Sequence, residues 1–135
     1  MADSKIPDDL KYTKTDEWIR VQGNEATIGI TDYAQNELGD VVYVDLPWDD
    51  AGKRDLSADD HFGDIESVKA TSPLFAPVAG KVAEVNAALK DTPEIINADP
   101  YGAGWMLKIT LPGSADLSHL LDAAAYSAFI AERDH

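Results

Sequence analysis

The 135-residue chain has no cysteine, and it carries only 11 Lys plus Arg against 25 Asp plus Glu. The missing thiols exclude a disulfide framework, a cysteine nucleophile and any Cys-ligated zinc or iron–sulfur site. Any redox sulfur must come from outside the chain. The shortage of positive charge leaves a net charge of −14, which repels phosphate backbones and anionic lipid, and no local basic patch offsets it. Nucleic-acid and membrane-surface roles are therefore not expected; basic partner proteins are. No apolar run approaches the roughly 18 residues of a membrane span, and residues 1–9 are acidic where targeting peptides are basic. The expected location is the cytoplasm, or the mitochondrial matrix for a processed form.

Composition is otherwise that of a folded chain, 44% apolar with three Trp, five Tyr and three Phe. The length suits one domain with a single core. Period-two runs at Glu17–Val21 and Ala26–Ile30 flank a short Gly-bearing loop and predict a hairpin. Thr31 suits the N-cap of a helix over Asp32–Leu38, and Gly39 its left-handed stop. A strand is expected over Val41–Leu46, then an acidic surface loop over 48–60. Further strands are expected at Phe62–Val68, Leu74–Val78, Gly80–Val85 and Trp105–Leu111. Helical starts are expected at Asn86 and at Asp91-Thr-Pro-Glu94. One or two terminal helices fill about 114–133, with an apolar stripe through Ala125, Ala128 and Phe129. Together these predict a mainly β fold with peripheral helices, a flattened barrel or sandwich spanning residues 1–135 with its core at about 10–129.

Catalytic constellations are lacking too. The histidines His61, His119 and His135 form no i, i+4 metal pair, Asp60-His61 reads as a solvated loop, and Gly102-Ala-Gly104 precedes a strand, not a helix, so it is no dinucleotide turn. No metal and no catalytic residue is expected. One pattern is unusual: two strand-like runs must reverse near Val68-Lys69-Ala70. Hairpin tips favour Asn, Asp or Gly, yet here a lysine flanked by apolar residues puts a primary amine at the exposed turn.

Several motifs occur in order: Thr31-Asp-Tyr-Ala-Gln35, Leu38-Gly-Asp-Val-Val42, Glu66-Ser-Val-Lys-Ala-Thr-Ser72, Ala76-Pro77, Val85-Asn86, Pro93-Glu94 with Asn97, Asp99-Pro-Tyr-Gly102 and Gly104-Trp105. From about Leu10 to Phe129 the chain resembles the H proteins of the glycine cleavage system, a barrel-sandwich hybrid of the lipoyl-domain type. The resemblance implies a non-catalytic carrier with lipoic acid joined covalently to Lys69 by lipoate-attaching enzymes. It implies a monomer whose arm visits three partners: glycine decarboxylase (P protein), which loads an aminomethyl group; aminomethyltransferase (T protein), which takes the methylene; and dihydrolipoyl dehydrogenase (L protein), which reoxidises the dithiol. Glu66 and Gly80 then serve recognition during attachment, and Glu17, Thr15 and Pro73 map onto the family's arm-binding cleft. Pro73 stands where the family has Asp, and Asp16 where it commonly has His. A lipoyl carrier of a 2-oxo-acid dehydrogenase, or a relay passing lipoate onward, is the alternative; the former usually has Asp before the lysine, where this chain has Val68. A biotin carrier would favour Met on both sides.

Overall fold

The computed structural model describes residues 5–46, 55–112 and 117–133. Nine strands among them form two antiparallel sheets. The chain runs β1 (Lys11–Tyr12), β2 (Glu17–Gln22), β3 (Glu25–Ile30), α1 (Asp32–Leu38), β4 (Val41–Asp45), β5 (Asp55–Leu56), β6 (His61–Ser67), β7 (Thr71–Phe75), β8 (Gly80–Val85), α2 (Ala88–Asp91), α3 (Ile95–Ala98), β9 (Leu107–Thr110) and α4 (Ala123–Arg133). The six-stranded sheet has the order β1-β2-β3-β9-β8-β5 and the three-stranded sheet β4-β6-β7. The core takes one inward row from each: Ile19, Ile28, Val82, Leu107 and Ile109 from the larger sheet, Val44, Ile65 and Leu74 from the smaller, all at most 1% exposed. This is the mainly β sandwich that the alternating pattern predicts.

Local chemistry sets the element ends near the future site. β2 and β3 are joined through Gly23 and Asn24, with Gly23 at φ 64°, a left-handed value that costs glycine little. Thr31 caps α1 by accepting from the Ala34 N–H at 3.2 Å. Gly39, at φ 76°, ends the helix with its N–H on the Gln35 carbonyl. Asn97 then ties the helix exit down. Its Oδ1 accepts from Val41 N at 2.8 Å, and its Nδ2 donates to the Gly39 carbonyl at 2.9 Å and to Gln35 Oε1 at 3.0 Å.

Several expected boundaries move, each for a physical reason. β7 starts at Thr71, not Leu74, and holds Pro73 in its middle. It is an edge strand, so the missing N–H of proline leaves no neighbour unsatisfied. The acidic segment expected as loop over 48–60 contains β5, which pairs with β8 because Leu56, 4% exposed, closes the end of the core; the part of that expectation over 48–54 lies outside the described residues. β9 is shorter than expected. The carbonyls of Trp105 and Met106 go instead to the Asn86 side-chain amide and the Asn86 N–H. From Leu117 to Asp122 the chain makes turns and a bridge from Leu121 to Tyr12, not a helix, and the part of that expectation over 114–116 lies outside the described residues. In α4 the buried stripe is Ala123, Tyr126 and Ile130, whereas Ala125 and Ala128 face solvent. The reason is tertiary: Tyr126 stacks on Tyr12 at 4.7 Å between ring centres, which turns that face of the helix inward.

Candidate functional site

Lys69 sits where the sequence places it, in the reversal between β6 and β7, and is exposed. The tip is not a floppy loop. Ser67 is 8% exposed, and its Oγ accepts from Lys69 N at 3.3 Å and Ala70 N at 3.1 Å while donating to the Ala70 carbonyl. Its backbone N–H also donates to that carbonyl, at 2.8 Å, and Val68 N donates to the Asp40 carbonyl at 3.0 Å. One hydroxyl thus does the work that Asn or Gly does in other tight turns. The lysine side chain passes over the end of α1, where a Cβ on Gly39 would lie 3.8 Å from Lys69 Cε.

Beside the tip, between α1 and β7, lies a cleft of about 200 Å³. Its floor is apolar, from Ile30, Ala34, Leu38, Ile65 and Leu74; its rim holds Thr15, Asp16, Glu37, Ser72, Pro73 and Arg133. Of the sequence-predicted cleft residues, Thr15 and Pro73 line it. Glu17 does not: it lies behind Thr15, 1% exposed. Its Oε1 accepts from the hydroxyls of Thr13 (2.7 Å) and Thr15, and its Oε2 from the Phe75 N–H at 3.2 Å. These bonds favour the charged form, yet burial outweighs them and pushes the carboxyl from 4.5 up to about 7. Glu17 thereby ties the first strand of the long hairpin to the free edge of β7.

Asp16, singled out in the sequence only as a departure from the family's common His, and Arg133, which carries no expectation, both line the cleft. Asp16 occupies the left-handed region at φ 72°, a conformation that Asp tolerates better than most residues. Its Oδ1 accepts from Arg133 Nη1 at 2.7 Å and from the Tyr126 hydroxyl at 3.0 Å, and its carbonyl accepts from Thr31 N. The end of α4 is thus fastened to the mouth of the cleft. The local signal is the polar turn composition of Thr13-Lys-Thr-Asp16, and nothing near it reveals a partner 117 residues away.

Glu66 is exposed on β6 opposite Tyr43 and Thr71, two residues before Val68. Gly80 lies apart from the hairpin, in the larger sheet opposite Leu56. A Cβ there would stand 2.8 Å from Ile109 Cδ1 and 2.9 Å from the Thr110 carbonyl. Its glycine is thus required by close approach to β9. Gly80→Ala is expected to cost roughly 1–3 kcal/mol of stability by overpacking, seen as a lower urea midpoint with unchanged m-value.

Among the described residues no group of three or more His, Asp and Glu is placed to hold a metal ion, and no helix is long and apolar enough to cross a membrane.

Residues 10–133 match the family model described as glycine cleavage H-protein. A glycine cleavage system H protein of Symbiobacterium thermophilum is 54% identical over 129 residues, covering 96% of this chain and 98% of the relative. One from an Anaeromyxobacter species is 52% identical over 130 residues, covering 96% and 99%. The crystal structure of a glycine cleavage system H protein from Mycobacterium marinum superposes with a TM-score of 0.80 at 38% identity, covering 96% of this chain and all of that one. With a lysine at a rigid hairpin tip, a cleft beside it and these matches over nearly the whole length, the chain belongs to the glycine cleavage H-protein family.

Proposed function

We propose that this chain is the lipoyl-bearing carrier of the glycine cleavage system and that Lys69 is the acylated residue. Family membership makes it a carrier subunit, not a catalyst, and disfavours the alternative of a 2-oxo-acid dehydrogenase module. The observation that carries the assignment is Lys69 itself: an exposed primary amine on a turn whose backbone Ser67 holds, inside the motif Glu66–Ser72. In this reading the partners are the P, T and L proteins and the lipoate-attaching enzymes, and the chain works as a monomer in the cytoplasm.

The residues fit an acylated lysine. Acylation turns a cation into a neutral amide, so the modified stem has less need of water and the apolar floor of Ile30, Leu38, Ile65 and Leu74 suits it. The lipoyl group supplies a disulfide on a long tether, which exchanges and carries two electrons. The chain's own contribution is shelter. The apolar floor excludes water, Thr15 offers a hydroxyl at the rim, and the acids that reach the cleft are Asp16 and Glu37, since Pro73 brings no charge and Glu17 lies behind Thr15. Arg133 holds Asp16 in place and closes one side of the mouth.

Intact mass spectrometry of protein purified from its own cell tests the reading. One lipoyl adduct on the fragment containing Lys69 is expected; a biotinyl adduct, or none, overturns it. Attachment is further expected to depend on Glu66. Asp64 is already engaged by His61 at 3.0 Å, whereas the exposed Glu66 carboxylate stands beside the tip. Glu66→Ala should slow acylation about tenfold, the loss of one charge-assisted contact of about 1.4 kcal/mol, and Asp64→Ala by less than twofold. Equal rates in both variants and the natural chain would remove Glu66 from the site.

A further inference from the structure

The largest exposed apolar side chains among the described residues are Val68, Val42, Tyr43 and Val21, at 69%, 53%, 50% and 36%. Three of the four lie together. The pairing of β4 with β6 slips between Val41 and Tyr43, which leaves Val42 as an extra residue opposite no partner. A bulge at an edge strand re-aims side chains, and here both Val42 and Tyr43 end up outside while Val41 and Val44 stay buried. Tyr43 faces Glu66 across the strands, and Val68 is bonded through its N–H to the carbonyl of Asp40, two residues before Val42. The patch therefore abuts Lys69. Its surroundings are acidic: Asp40, Asp45 and Glu66 are all exposed.

We propose that Val42, Tyr43 and Val68 form the docking patch for the enzyme that acylates Lys69, which covers them with an apolar socket edged by Lys and Arg. The inference rests on the assignment of Lys69 above and names how that lysine is recognised. Two arguments select this occupant. Amide formation brings the enzyme within bonding distance of Nζ, so it must also cover the adjoining Val68; a partner acting on the far end of a long tether need not. A second copy of this chain is opposed by the like charge of −14 and by the acidic rim, which a basic socket instead complements. In the transfer step the neutral lysine Nζ attacks the acyl carbon of an activated acyl donor, lipoyl adenylate. The amide C–N bond forms as the acyl–oxygen bond to phosphate breaks, AMP leaves, and the nitrogen releases one proton. A tyrosine flanked by two valines is the kind of anchor that carries interface energy, and the acids around it steer a basic partner.

The test uses the intact unmodified chain, a purified lipoate–protein ligase and preformed lipoyl adenylate. Val42→Thr, Tyr43→Thr and Val68→Thr, singly and combined, place strand-favouring threonine at exposed positions, and thermal melting checks that they fold. The combined variant is expected to lose at least tenfold in kcat/KM, mainly through KM, and raised salt should lower kcat/KM of the natural chain. Val21→Thr, on the other sheet, should change it less than twofold. Acylation of Lys69 by a small amine-reactive ester without enzyme should be equal in all variants, which separates docking from reactivity of the amine. Unchanged kcat/KM in the combined variant, with the natural chain acylated normally, overturns the patch while leaving Lys69 assigned. Failure of the natural chain to be acylated overturns both. A dimer of the natural chain in sedimentation, abolished by the same substitutions, assigns the patch to self-association and overturns the proposal.

Discussion

Lys69→Arg abolishes the lipoyl adduct completely while leaving the melting temperature within about 2 °C of the natural chain. A guanidinium stays protonated at every pH of interest and offers no free lone pair to an acyl donor, so acylation at that position stops. The fold does not notice because Lys69 is exposed and its backbone N–H, not its amine, is what Ser67 holds. Exposed substitutions of this kind change stability by no more than about 0.5 kcal/mol. The other lysines do not take over. Lys81 and Lys108 lie within sheet strands, with Lys108 over the Trp105 ring at 5.0 Å, and Lys90 is on the short α2. The measurement is intact mass and peptide mapping after co-expression with an attaching enzyme. An adduct that persists in Lys69→Arg refutes the assignment.

The second large effect is a pH-dependent stability that belongs to Glu17. Burial raises its folded-state value from 4.5 to about 7, although three donors point at the carboxylate. A raised value means the folded state holds the proton more tightly than the unfolded state. The resulting stabilisation is fully present below pH 4.5 and is lost as pH rises through about 7. The span corresponds to roughly 3 kcal/mol at 1.36 kcal/mol per unit. Glu17→Gln isolates it, because the amide accepts from Phe75 through its oxygen, donates to the threonine hydroxyls and does not titrate. Urea unfolding of both proteins from pH 4 to pH 9 should show the natural chain losing about 3 kcal/mol relative to Glu17→Gln across that window. Parallel curves would mean that folding leaves the Glu17 pKa unshifted, and would refute the raised value. The consequence reaches the site, since the same carboxylate anchors the Phe75 end of the strand that forms one wall of the cleft.

What the sequence alone determined is what short-range chemistry encodes. The Thr31 cap and Gly39 stop bound α1 as read, the period-two runs give β2 and β3 and the short strand-like runs β4, β6 and β8 nearly as read, and the lysine in a reversal between two strands is where the motif puts it. Each of these rests on residues within a few positions of one another, so the signal lies in the spacing itself. Tertiary structure decided whatever depends on partners far along the chain. Pro73 argues against a strand until β7 is seen to be an edge; Leu56 reads as part of an acidic loop until β8 is beside it; the helical stripe of α4 is set by Tyr12, not by local periodicity. The site divides in the same way. Lys69 and Glu66 are legible because they belong to one hairpin, whereas the cleft draws on β3, α1, β6, β7 and α4, and its rim pair Asp16–Arg133 spans almost the whole chain. Glu17 shows the limit most clearly: a strand-edge acid in sequence, it becomes a buried carboxyl that retains its proton up to about pH 7, because only the packing of two sheets removes its water.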